Sequence, residues 1–463
     1  MSSQVETLLV VHRQRRFLLF ALILAAIFGA LGTLAWQLGY YPARHLYLSG
    51  SIRFAVSDDI LQQQSVHPVL PPLSFLAFLI VRNPIVLTGI ISGLSIGYLA
   101  YFVTTYAGPL SVRSLLVIYI LFSPSVITLA LFDIEWLMLI AVTVGAYGFL
   151  LEYCRRDSVY HLFLCGLALA AGYMVVPETS IYVVIFALAV AVVGPPRHRR
   201  WVYPLVLLSP MFSAAAAWSA VEWYFRGSVY GPFPQFAVAL DAPGLLGIIV
   251  SSGPFVFVYL TLCASAAVYT RQLRSIVIVL LAAPVVLILV SLIWAQPIPA
   301  VLHVPLIVAG VIILYPYFDT VLPSRMLAVI LALLLFAAVG RDTWTVFFRD
   351  AETTRPVSEI VRGGEDRGNL HEYASIERRT RAWLASNENG VVRLEGDALL
   401  FAHLLSSVDM SRLTYSRTGA EVPKASTGLV IRRRSSESLR EFTPLLRSGD
   451  YELLRRKPTR SRL

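Results

Sequence analysis

Apolar runs long enough to cross a bilayer recur from Phe17 to about Gly340, and this recurrence constrains the fold more than any other feature. Hydrocarbon offers no hydrogen-bond partners, so such segments must be helices that satisfy their backbone internally. The 463 residues are 57% hydrophobic and 14% charged, where a soluble domain carries about 25% charged residues, and the mean hydropathy is +0.69. An integral membrane protein is expected. The first run, Phe17 to Leu38, follows His12-Arg13-Gln14-Arg15-Arg16. It is too long for a signal-peptide core and lacks a small-x-small cleavage site, so it reads as a retained span.

Candidate spans fall near 17–38, 85–106, 113–131, 134–152, 160–177, 180–194, 202–221, 245–269, 275–295, 299–317 and 325–340, about eleven in all. Arginines mark alternate connections: the N-terminus, Arg113, Arg155-Arg156, Arg197 to Arg200, Arg271 with Arg274, and Arg325. The positive-inside rule places these in the cytoplasm, and an odd span count then leaves the C-terminal tail outside. The other connections carry Asp58, Asp59, Asp133, Glu135, Glu178, Glu222 and Asp241, accompanied by Tyr40, Tyr41, Trp136, Trp218, Trp223, Tyr224 and Tyr230. Two readings of this face stay open: a sugar-handling cleft, or a solvated surface with an interfacial aromatic belt.

The sequence divides into a membrane domain, residues 1–340, with an external loop at 39–84, and a soluble domain, residues 341–463. The dozen apolar residues from Pro71 to Arg82 are too few to span, and predict an interfacial or re-entrant helix. A second external insertion runs from Glu222 to Gly244. In the tail the pattern predicts helices at 370–385, 397–405 and 437–446, with strands at 391–394, 428–432 and 451–454. The fold class is therefore mostly α: a polytopic helical domain followed by a small α/β domain on the external face.

The net charge of +10 is almost entirely arginine. Orientation and anionic headgroups account for it, and no signature of nucleic-acid or nucleotide binding accompanies it. Cys154, Cys165 and Cys263 show neither metal-ligand spacing nor a disulfide framework.

Asp58-Asp59 lies a few residues before His67-Pro68-Val69-Leu70-Pro71-Pro72-Leu73, which opens the short apolar helix. A carboxylate beside lipid is partly desolvated, which raises its pKa and makes it a better base; a solvated pair is the plainer alternative. This arrangement, an N-terminal span, an external acidic pair and a His-Pro-Pro-Leu-like turn before a juxtamembrane helix, resembles the GT-C superfamily of membrane glycosyltransferases. The similarity is to the branch that uses lipid-phosphate sugars, including protein mannosyltransferases and the lipid A aminoarabinose transferase. Ser123-Pro124, the acidic turn Asp133-Ile134-Glu135 and the return to Arg155-Arg156 extend it over roughly residues 45 to 155. Asp59 stands where the family usually has Glu, and Val69-Leu70 interrupt the turn.

The resemblance implies a GT-C-like fold and an inverting transfer from a polyprenyl-phosphate sugar to a lipid, glycan or protein acceptor. The site would face outward from a bacterial inner (plasma) membrane. It carries the general base onto Asp58, with Asp59 beside it. The leaving phosphate needs positive charge, for which Arg82, Arg53, His67 and His303 are candidates. Headgroup contact is an equal reading of Arg82. Asp133 and Glu135 form a second acidic site for an acceptor or a divalent cation such as Mg or Mn, with Glu178 and Glu222 as further sugar contacts. A transporter or flippase, an O-antigen ligase or polymerase, and a non-catalytic scaffold are the competing readings. Acids gathered at one face and the lack of an internal repeat weigh against transport.

Overall fold

The structure, a computed structural model, describes residues 2–37, 40, 43–55, 72–106, 109–193, 202–226, 368–416, 427–433, 442–448 and 451–456, with isolated positions between 308 and 343. Most of these residues are helical. The helices are α1 (Ser2–Gln37), α2 (Ala43–Ala55), α3 (Pro72–Ile80), α4 (Pro84–Tyr106), α5 (Leu110–Phe122), α6 (Pro124–Phe132), α7 (Ile134–Arg156), α8 (Val159–Val175), α9 (Ser180–Val193) and α10 (Val202–Arg226). Among the described residues four helical stretches, Arg15–Gln37, Pro84–Tyr106, Ile134–Arg156 and Val202–Val221, are long and apolar enough to cross a membrane. Large apolar side chains point outward along them, including Leu18, Leu22, Ile90, Leu94, Leu205 and Phe212. Such a surface suits lipid and would be costly in water.

Close packing between α1 and α4 rests on small residues. A Cβ placed on Gly93 would lie 2.5 Å from both Ala21 O and Ala25 N, and one on Gly89 would lie 2.8 Å from Ala25 O. Gly89, Gly93 and Gly97 are spaced by four, so one stripe of α4 lets the two backbones touch. The single span expected at 113–131 is instead two short helices, α5 and α6, bent by 48°. Pro124 lacks an N–H and holds Ser123 in an extended conformation (φ −65°, ψ 120°), so the ladder cannot run through.

Neighbour contacts fix helix directions. Gly145 and Gly148 of α7 meet Tyr98 and Phe102 of α4, so these two helices run the same way. Gly166 of α8 meets Leu207 of α10, and Tyr173 stacks edge-on Trp218 at 5.3 Å, so α8 and α10 are also parallel. One end of the bundle therefore gathers Trp36, Pro84, Asp133 and the C-terminus of α8. The other carries Arg15, Arg16, Arg113, Arg155 and Arg156, separated by the 23 residues of α7, about 34 Å.

The C-terminal part contains α11 (Gly368–Ser386), β1 (Val391–Glu395), α12 (Phe401–Leu404), β2 (Leu413–Ser416), β3 (Thr427–Arg433), β4 (Phe442–Ser448) and β5 (Tyr451–Arg456). The sheet order is β2-β1-β3-β5-β4, with β1 parallel to β2 and β3, and the last three strands antiparallel. The predicted helix at 437–446 is corrected by β4. Leu439, Phe442 and Leu446 suggest a helical period, but residues 442–448 pair antiparallel with β5, from Phe442 opposite Arg456 to Ser448 opposite Tyr451. Pro444 is tolerated because β4 is an edge strand with a register shift between Pro444 and Leu446. One sheet face (Val392, Leu394, Leu429, Ile431, Leu453) packs with Tyr373, Ile376 and Leu384 of α11. The opposite face buries charge: Arg393 lies 3.1 Å from Glu395, and Arg432 lies 2.8 Å from Glu452.

Helix α2, within the stretch read as the external loop 39–84, joins the two parts. Leu48 and Ile52 pack with Phe78, Leu87, Ile91 and Ile134 of the bundle, while Leu46 and Phe54 enter the core of the C-terminal domain. Along its middle turns every described residue is buried except Tyr47, Ser49 and Arg53, which are partly buried.

Candidate functional site

The densest polar arrangement in the bundle lies at the junction of α6 and α7. Asp133 occupies the N-cap of α7 and Glu135 its first turn; they are 9% and 1% exposed. Asp133 makes no side-chain capping bond there. Buried carboxylates are expensive beside hydrocarbon, and the positive end of the α7 dipole offsets part of that cost. His45 of α2, wholly buried, meets the same junction. Its Nδ1 lies 3.2 Å from Thr88 Oγ1, and Ile134 N–H donates to its Nε2 over a long 3.5 Å. Because the Thr88 hydroxyl donates to Pro84 O at 2.7 Å, the network closes with the proton on Nδ1 of the imidazole. Ser92 Oγ donates to Ala130 O at 2.6 Å just below. Two segments distant in sequence, α2 and α4, thus clamp the acidic turn in one position.

A shallow apolar crevice lined by Gly32, Trp36, Tyr40, Ile85, Thr88 and Phe132 opens beside this corner. Arg82 stands exposed just ahead of α4, whose N-terminus is capped by Asn83: its Oδ1 accepts from Ile85 N at 2.9 Å. Arg82 is thus at the same end of the bundle as Asp133 and Glu135. Arg53 is differently engaged. Its guanidinium donates to Ala402 O at 2.7 Å, Leu405 O at 2.8 Å and Val408 O, which fastens α2 to the C-terminal domain. Burial lowers its pKa, against the raising effect of Asp409.

Glu178 lies in the short turn Pro177–Thr179 after α8, and Glu222 in the last turn of α10. The parallel course of α8 and α10 brings both backbones to the acidic end, and their side chains lie outside the described residues. Asp58, Asp59, His67 and His303 also lie outside the described residues, as do the candidate spans at 245–269 and 275–295. Among the described residues no group of three or more His, Cys, Asp or Glu side chains gathers to hold a metal ion.

His45 was not singled out by sequence reasoning. The available signal was the pattern around it: Leu46 and Phe54 on one side, Leu48 and Ile52 on the other, a helical period inside an expected loop. No family model and no curated protein matches this chain.

Proposed function

We propose that the protein is a GT-C-type integral-membrane glycosyltransferase that moves a sugar from a polyprenyl phosphate to an acceptor at the outer face of the membrane. The observation that carries this reading is the acidic corner: two buried carboxylates at one end of the bundle, held by α2, the helix that leads directly into Asp58-Asp59. On the positive-inside rule the Arg-rich end is cytoplasmic, and the acidic end and the C-terminal domain are extracytoplasmic. A lipid-linked donor suits that side, where nucleotide sugars are not supplied.

In this reading Asp58 takes the proton of an acceptor hydroxyl or amine as that atom attacks the sugar C1. The C1–O bond to phosphate breaks with inversion, and polyprenyl phosphate leaves with its electron pair. Arg82 at the bundle edge supplies positive charge to the leaving group. Arg53, committed to three carbonyls, serves the framework. Asp133 and Glu135 orient the acceptor.

The test is transfer by the purified protein in lipid nanodiscs from a series of polyprenyl-phosphate sugars. Asp58→Asn should lower the rate by about a hundredfold or more, the scale of a lost general base. Full activity in both Asp58→Asn and Asp59→Asn would overturn the base assignment. The break between α5 and α6 favours a second reading, since discontinuous helices are also used to build transport sites. Movement of the labelled polyprenyl phosphate between leaflets without sugar transfer would select it.

A further inference from the structure

The contact between α2 and α12 has a composition that a merely structural seam does not require. Ser49 Oγ lies 2.7 Å from His403 Nδ1, and the His403 ring meets Trp36 of α1 edge-on, with centroids 6.2 Å apart. One turn further along α2, Arg53 donates to the carbonyls of Ala402, Leu405 and Val408. Between them, Gly50 sits so close to Leu399 O that any side chain would collide with that carbonyl. Leu46 and Phe54 close the seam on either side. We propose that this contact is a pH-sensitive latch, in which protonation of His403 beside Arg53 releases the C-terminal domain from α2. The proposal is independent of the transferase reading.

The hydrogen bond between Ser49 Oγ and His403 Nδ1 survives protonation, because a hydroxyl can donate to a bare ring nitrogen or accept from a ring N–H. The imidazolium, however, would share a half-buried seam with the Arg53 guanidinium. Among the described residues, the acids nearest this seam are already engaged. Asp409 acts on Arg53 and accepts from Ser411 N–H at 3.1 Å, while Glu377 of α11 is paired at 2.7 Å with Arg381, which also donates to Leu404 O. On the 396–400 turn the Asp397 side chain lies outside the described residues. Burial first, and Arg53 second, hold the His403 pKa below its ordinary value of 6.5. The sign follows. Above pH 6.5 His403 is neutral whether docked or released, and docking is at full strength. As pH falls below that value the released form takes up the proton first, so docking weakens until the docked form titrates too.

Hydrogen exchange of the full-length protein in nanodiscs tests this between pH 8 and 5, after correction for intrinsic rates. The expected result is a severalfold or greater loss of protection in residues 43–55 and 401–408 below pH 6.5, while β1 and β3 keep theirs. His403→Asn keeps a polar partner for Ser49 but cannot titrate, and should flatten the profile. If that variant loses sheet protection, His403→Gln replaces it, and the wild-type profile decides independently. A wild-type profile without local loss, a loss that coincides with sheet opening, or an unchanged loss in the folded variant would overturn the latch.

Discussion

Glu135 is 1% exposed in the first turn of α7. Glutamine keeps its shape and loses the carboxylate, so Glu135→Gln should lower sugar transfer at least tenfold if that carboxylate orients the acceptor, with the melting temperature measured alongside. A variant that melts lower and transfers normally would make Glu135 a framework group. His45 stands on the other side of this contrast. Both its nitrogens are used, by Thr88 and by the Ile134 N–H, so it shapes the acidic turn through another residue's backbone. Neither property is visible in the sequence, where Glu135 is one acid among several and His45 one histidine in a connecting segment.

At the scale of elements, legibility followed the chemistry of the boundaries. Pro84 opens α4, Asp133 stands at the N-cap position of α7, and Asp157 closes α7 in the left-handed region at φ 48°, with Arg155 and Arg156 complementing the last turn. These ends match the expected spans within a few residues. The break at Pro124 escaped because the apolar content is continuous through it, and hydropathy does not register a missing N–H. Strand β2 escaped because four residues, Leu413 to Ser416, are too few to establish a period. Strand β4 was misread because pairing with β5 across a two-residue connection outweighed local spacing. Of the candidate site, Asp133, Glu135 and their shared end of the bundle were legible; the clamp from α2 was not, since it depends on a contact 89 residues away. Gly93→Val would push α1 off α4 along the whole small-residue stripe, costing about 1–3 kcal/mol by overpacking, and should lower the melting temperature. Gly29, whose added Cβ would meet nothing within 4 Å, should accept alanine without loss.

For the whole molecule, the decisive feature is a 13-residue helix with a different partner on each side. Its bundle side holds the acidic turn through His45, and its other side is fastened to the C-terminal domain through Ser49 and Arg53. A disturbance of one side should therefore be felt at the other. Gly50→Leu, which cannot fit against the Leu399 carbonyl, should raise exchange in residues 43–55 and 399–405 and at the Ile134 amide at neutral pH, while leaving α4 and the body of α7 protected. Exchange confined to α12 would show that the helix does not couple the two parts.

The same helix sets the order of biogenesis. Arg53 leaves the ribosome early, yet the carbonyls it serves at Ala402 and Leu405 follow 349 and 352 residues later. Throughout that interval Leu46 and Phe54 await the residues that bury them, which begin at Tyr373 and run to Leu453. The two-sided attachment of α2 therefore closes bundle side first, and its contacts with the C-terminal domain are among the longest-range in the fold.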